Sequence, residues 1–287
     1  MRLRITLGLL TIVVVAACAS SDADSQTTTT RPEPVTTTAP TTTLPLVAGC
    51  PDEGEFVEDG TIASVDQDQS DSSVIGHISW TTDESCDTFT FSFITSEGAP
   101  ATTPPTVTAS YVEGVPVIRI AVDADQTVIT DQLVETGFVD RLFVVRSLEG
   151  GSFIDLHLAA PAQARIHLDG SPARVTLDLQ PGIVEYPVSA TVSDLVVVVT
   201  PLGADVVNPT IEVTGYTRTF GSNVIIIATA GDQIVAETNT TAAEGLQTWG
   251  EFRTRVVLPP GEVSLFVGDE NTENGGLEGV TISLTVR

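Results

Sequence analysis

The chain has 287 residues, with 38 acidic side chains against 12 basic ones and a formal charge of −26; every basic residue is Arg. That balance excludes nucleic acid, and anionic lipid gripped by charge, because a phosphate surface is held by clustered cations. With 41 % apolar residues, 23 Gly and 17 Pro, composition favours strands and turns over helices, and length suggests about two domains.

Residues 1–17 read as a signal peptide. Arg2 and Arg4 form its basic start, and the apolar run 5–15 is too short to span a bilayer comfortably. Its end, Val15-Ala16-Ala17-Cys18, resembles the lipobox of bacterial lipoproteins. The resemblance implies cleavage before Cys18 and acylation of its thiol, hence a membrane anchor on the outer face of the cytoplasmic membrane. A plain secretory signal with an incidental Cys is the alternative. Val47-Ala48-Gly49-Cys50 has the same look but follows a polar stretch, so no apolar segment presents it to a membrane. With Cys18 acylated, Cys50 and Cys86 remain as an even pair in an oxidising compartment and are expected to be bridged; two buried thiols are the alternative. Residues 18–49 form a tether in which Thr runs alternate with Pro32, Pro34, Pro40 and Pro45. Such a segment cannot bury a core and is expected to be disordered.

Between residues 51 and 118 stand 13 acidic residues and no Arg. Alternation then predicts strands over 117–122, 141–146, 153–158, 164–168 and 173–179. Period two turns Ile154, Leu156, Leu158, Ile166, Leu168, Val175, Leu177 and Leu179 inward. By the same pattern Asp155, His157, Arg165, His167, Arg174 and Asp178 face water. Residues 130–137 allow one or two helical turns. Beyond the break at Gln180-Pro181-Gly182, seven short strands are expected at 192–199, 210–214, 223–229, 233–238, 252–258, 263–267 and 280–286. Their number and spacing fit an immunoglobulin-like sandwich. The expected fold class is all-β, with two β-sandwich domains at 50–182 and 183–287.

Two family resemblances sharpen this. Thr200-Pro201-Leu202-Gly203, Asn208-Pro209, Val213-Thr214-Gly215-Tyr216, Trp249-Gly250-Glu251-Phe252 and Val280-Thr281-Ile282 occur in the order found in the immunoglobulin-like domain of bacterial spore-germination proteins and actinobacterial envelope lipoproteins, which residues 188–287 resemble. Cys86 to Phe93, Tyr111-Val112, Ser152 to Leu158 and Pro172 to Leu179 resemble the AMIN-like domain of actinobacterial envelope proteins, a relative of the module that places amidases on peptidoglycan. That family often has Asp-Arg where this chain has Cys86-Asp87-Thr88. Neither resemblance implies catalysis.

The motifs that supply a nucleophile elbow, a phosphate cradle or a zinc site are absent from the sequence. His157 and His167 are the weak metal candidates, on the expectation that a hairpin sets them side by side with Asp155 and Asp169; a solvated polar face is the competing reading. The acidic stretches 66–71 and 268–275 space oxygen ligands as a calcium loop does, but the second lacks the Gly and terminal acid of that motif and is read as a hairpin loop. Arg141, Arg146, Arg165 and Arg174 are candidate ligands for stem-peptide carboxylates of peptidoglycan, or partners of neighbouring Asp residues. The sequence thus predicts a non-enzymatic envelope lipoprotein without a cofactor, binding peptidoglycan or a cell-wall protein. Alternatives are a protein-interaction scaffold and a metal-dependent hydrolase.

Overall fold

A computed structural model describes residues 50, 54–83, 85–125, 131–186, 188–271 and 275–287. The signal segment, Cys18 and the tether up to residue 49 lie outside the described residues. The first half of the fold consists of β1 (Thr61–Val65), β2 (Val74–Thr82), β3 (Asp87–Ile94), β4 (Val107–Tyr111), β5 (Val117–Val122), β6 (Asp131–Leu133), β7 (Val139–Arg146), β8 (Ser152–Leu158), β9 (Ala162–Asp169) and β10 (Arg174–Pro181). The second half contains β11 (Thr191–Val192), β12 (Val196–Thr200), β13 (Val206–Val207), β14 (Thr210–Thr217), β15 (Asn223–Ala230), β16 (Gln233–Thr241), β17 (Trp249–Val257), β18 (Gly261–Glu270) and β19 (Leu277–Val286). A short 3-10 turn, Phe220–Ser222, precedes β15. Where 130–137 is described it is strand and loop, because Asp131–Leu133 pairs with Arg141–Phe143 at the margin of β7. No helix among the described residues is long and apolar enough to cross a membrane.

The fold is all-β, and the described residues build three sheets. One has the order β2-β3-β10-β9, another β13-β19-β18-β15-β16, and a long one runs β1-β4-β5-β8-β7-β17-β14-β12-β11 with β6 against β7. The four-stranded sheet covers the first part of the long sheet, and Phe89, Phe91, Phe93, Val175 and Leu177 meet Ile118, Ile120, Leu142, Ile154 and Leu156 in between. The five-stranded sheet covers the second part around Phe252, Ile226, Leu265 and Ile282. All eight side chains expected to turn inward do so, six of them fully and Ile166 and Leu168 in part. The long sheet continues from one half into the other where β7 and β17 pair in parallel, Trp249 opposite Val145 and Gly250 opposite Arg146. The described residues fall in one compact unit.

A third cluster occupies the reverse face of the long sheet. Phe143, Val145 and Phe153 from the first half pack there against Val197, Val199, Tyr216 and Trp249 from the second. This corrects the reading of 141–146 as an alternating strand: Leu142 to Val145, like Val196 to Val199, is apolar without a break. A strand buried on both faces is apolar throughout. It also corrects the expectation that Asp155 and His157 face water: both are buried, because the second half covers that face of β8.

Glycine is required where strands approach closely. A Cβ on Gly215 of β14 would stand 2.0 Å from the Val197 carbonyl oxygen and 3.0 Å from the Phe252 ring. The expected Cys50–Cys86 bridge is present, with Cα atoms 5.1 Å apart. It ties the first described residue to the start of β3.

Candidate functional site

Strand register assembles a polar lattice on the outer face of the four-stranded sheet. His77, Ser92, Arg174 and Asp169 stand opposite one another across β2, β3, β10 and β9. The next row is Ser79, Thr90, Thr176 and His167, and a third is Thr81, Thr88, Asp178 and Arg165. The period-two pattern of β3, Thr88-Phe89-Thr90-Phe91-Ser92-Phe93, puts every Phe in the core and every hydroxyl on this face. Strand and residue spacings make the face about 14 Å on a side.

Its two ends differ. In the third row Asp178 is buried, accepting from Thr88 Oγ1 at 2.8 Å and from Arg165 Nη2 at 2.9 Å and Nε at 3.1 Å. Phe56 lays its ring 4.5 Å from the Arg165 guanidinium, and Val57 exchanges both backbone hydrogen bonds with Ala164. Residues 54–57 thus roof this end, and Arg165 and Asp178, expected in water, are buried by that roof. The first two rows stay half-exposed to exposed. Arg174 makes no ion pair among the described residues, and its Nε, closed off from solvent, has no hydrogen-bond partner there. His167 Nε2, 3.4 Å from Asp178 Oδ2, likewise lacks a hydrogen bond. Hydroxyls that both donate and accept, beside a guanidinium fork, suit sugar hydroxyls, amides and carboxylates.

The other candidates lie elsewhere. Arg141 and Arg146 belong to the long sheet, Arg146 paired with Asp125 and Arg141 opposite His157 with its guanidinium 5.8 Å from the Phe143 ring. The four arginines therefore form no single cluster. His157 and His167 do not meet in a hairpin, because β8 and β9, though consecutive, join different sheets. Among the described residues, the set close enough to share a metal ion is Cys50, Cys86 and Asp178, whose two thiols are already spent in the disulfide.

His157 instead seals the junction of the halves. Its Nε2 lies 2.6 Å from the Tyr216 hydroxyl, and Phe143 packs on both rings. Burial pushes the His157 pKa down to about 4, with Arg141 and Arg119 adding to the effect and Asp140 opposing it. Burial also raises the Tyr216 pKa well above its ordinary value, and Asp155 adds to this. A neutral imidazole accepting from a protonated phenol satisfies both. Arg119 binds the buried Asp155 through Nε at 2.8 Å and Nη2 at 2.7 Å while covering Phe153. Burial works against the Arg119 charge, but Asp155 more than offsets it and holds the guanidinium pKa above its usual value. Glu251, beside Trp249, accepts from Ser147 Oγ and the Leu148 amide of the first half.

In the second half, β12, β14 and β17 lie opposite the five-stranded sheet, with Phe252 in the core between them and Trp249 on the reverse face. Residues 195–276 match the immunoglobulin-like domain of bacterial spore germination. The match takes in β12 to β18 and less than a third of the chain. No curated protein and no solved structure is detectably similar to the chain. An immunoglobulin-like domain of this kind suggests binding or scaffolding rather than catalysis.

Of the lattice residues, Thr90, Ser92 and Thr176 fall in the stretches that carry the AMIN-like resemblance, but neither they nor His77 and Ser79 are among the site residues expected from the sequence. Their signal was the regular hydroxyl–Phe alternation of β3, which marks a flat half-solvated sheet face before any ligand is known.

Proposed function

We propose that this protein is a non-enzymatic lipoprotein of the bacterial cell envelope, anchored through Cys18 and holding peptidoglycan on the polar face of its four-stranded sheet. The observation that carries this reading is Arg174, a guanidinium without an ion-pair partner among the described residues, set in rows of Ser and Thr hydroxyls. A flat face of hydroxyls fits a glycan strand, and the two Nη groups of Arg174, whose Nε is closed off from solvent, fit a stem-peptide carboxylate bidentately. The resemblance of this half to AMIN-like domains supports the same ligand class. The lipobox and the Thr/Pro tether support an anchored protein that reaches into the wall.

The direct test is cosedimentation of the chain lacking residues 1–18 with purified peptidoglycan sacculi. Retention should weaken about tenfold in the pair Arg174→Ala and Thr176→Ala, a loss typical of a central polar contact and its neighbour. No retention of the unaltered protein overturns the wall-binding reading. In cells, Cys18→Ala should move the protein from the membrane to the soluble extracytoplasmic fraction, and unchanged membrane partitioning overturns the anchor. The immunoglobulin-like match supports a second reading, a scaffold that holds another envelope protein.

A further inference from the structure

We propose that one end of the immunoglobulin-like domain is a docking groove for a partner-protein segment carrying a bulky apolar side chain flanked by Lys or Arg. This is independent of the wall-binding face, which lies on the four-stranded sheet. The turn Phe220–Ser222, the loop at Gly245-Leu246 and the ends of β18 and β19 surround a cleft of about 310 Å³. Its apolar lining is Leu195, Phe220 and Leu246, and its acidic lining Asp269, Glu270 and Glu278. Phe220 is 68 % exposed and Leu246 59 %. A neighbouring depression shares Leu195 and Glu278 and adds Leu277. Large apolar side chains grouped around one concavity mark an interaction surface, whereas singly scattered ones do not.

The groove is held in shape. Leu246 has a φ of +64°, a left-handed conformation costly for a Leu. Its amide donates to the Thr219 carbonyl, and a Cβ on Gly245 would stand 2.6 Å from that same oxygen. The loop is thus docked on the turn, with Leu246 facing solvent.

Charge selects the occupant. Among the described lining residues three carboxylates stand against one cation, Arg218, and it is engaged: Nε donates to the Asp194 carbonyl, Nη1 lies 3.4 Å from Asp131, and the guanidinium lies 5.0 Å from the Trp249 ring centroid. A second copy of this chain, with its charge of −26 and no Lys, does not complement such a rim. Anionic lipid is repelled by it as well. A segment with cations beside an apolar anchor satisfies both parts of the groove.

The test is panning of a random-peptide display library on the soluble protein after depletion on the Phe220→Ser, Leu246→Ser variant. Both positions are exposed, and a thermal melt checks that the variant is folded. The expected enrichment is an aromatic or large aliphatic residue with Lys or Arg close by. The best synthetic peptide should bind about tenfold more weakly to the Phe220/Leu246 variant. It should bind about fivefold more weakly to Glu270→Gln, Glu278→Gln, and equally well to a control neutralised at the distant exposed Glu97 and Glu113. No enrichment, a neutral or acidic motif, or an equal loss in the control overturns the proposal. So does Phe220-dependent binding to phosphatidylglycerol vesicles, or a Phe220-dependent dimer in sedimentation, because a lipid surface or a second copy would then be the occupant.

Discussion

Replacing His157 with Gln should remove a pH dependence of stability that the native chain carries between neutral and mildly acidic conditions. The imidazole is 6 % exposed, packed on Phe143 and hydrogen-bonded to Tyr216. Its pKa in the folded protein falls from the ordinary 6.5 to about 4. A folded-state value below the unfolded one means that the unfolded chain takes up the proton first. The stabilising contribution is therefore complete above about pH 6.5 and lost progressively as pH falls toward about 4. At 1.36 kcal/mol per unit, the shift is worth about 3 kcal/mol, of which roughly 2 kcal/mol disappears between about pH 7 and pH 5. Gln keeps an acceptor for Tyr216 and has no proton to gain. The assay is urea unfolding of both proteins at a series of pH values. Expected is a difference within about 1 kcal/mol at neutral pH, with the wild type losing about 2 kcal/mol relative to the variant by about pH 5. Parallel stability–pH curves would refute the placement of a neutral, buried His157 at the junction. Asp71 and Asp83, whose carboxyls are held below their ordinary value mainly by the backbone amides of Thr103 and Ser85, titrate in more acidic solution. They cancel in the comparison.

Three further outcomes follow from the packing. Asp178→Ala removes the carboxylate addressed by Arg165 and Thr88 at a site almost closed to solvent; urea unfolding should show a loss of about 3 kcal/mol, and a smaller loss when Arg165→Met is added. Reducing Cys50–Cys86, or replacing both with Ser, frees a loop closed by residues 36 apart and should cost about 4 kcal/mol in the loop-entropy description, read as a lowered thermal midpoint. Gly215→Ala forces a methyl group against the Val197 carbonyl, so soluble yield and cooperative unfolding should both suffer, with at least about 3 kcal/mol lost.

The strands β8 to β10 and the direction of the eight apolar side chains assigned on them were legible, because period two is a strong signal once one face is buried, whereas β1 to β4 were not expected. What the other face meets is not written in the alternation. Asp155 and His157 read as solvated because a polar residue gives the same pattern whether water or a second layer covers it. The contradicting signal lay in neighbouring strands, where Leu142-Phe143-Val144-Val145 and Val196 to Val199 have no polar partner and must be buried twice over. Arg165 and Asp178 depart from the solvated pattern for another reason. Their roof, Phe56 and Val57, comes from the acidic segment before β1, whose composition gave no hint that it packs on β9. The pairing of His157 with His167 assumed that consecutive strands share a sheet. Here the chain crosses between layers at Ala159–Pro161, a choice made by long-range packing.

The disulfide also sets how the molecule carries load. Any pull along the chain from before Cys50 passes through the sulfur atoms to Cys86 and bypasses the residues between them. It enters the fold beside Asp87, at the beginning of β3, an interior strand hydrogen-bonded to β2 on one side and β10 on the other. The roof over Arg165 and the edge strand β1 are thereby spared from being peeled away first. With the bridge oxidised, force meets a whole sheet at once, and the polar face keeps its shape under tension; with it reduced, the same force would begin by stripping the segment that closes one end of that face.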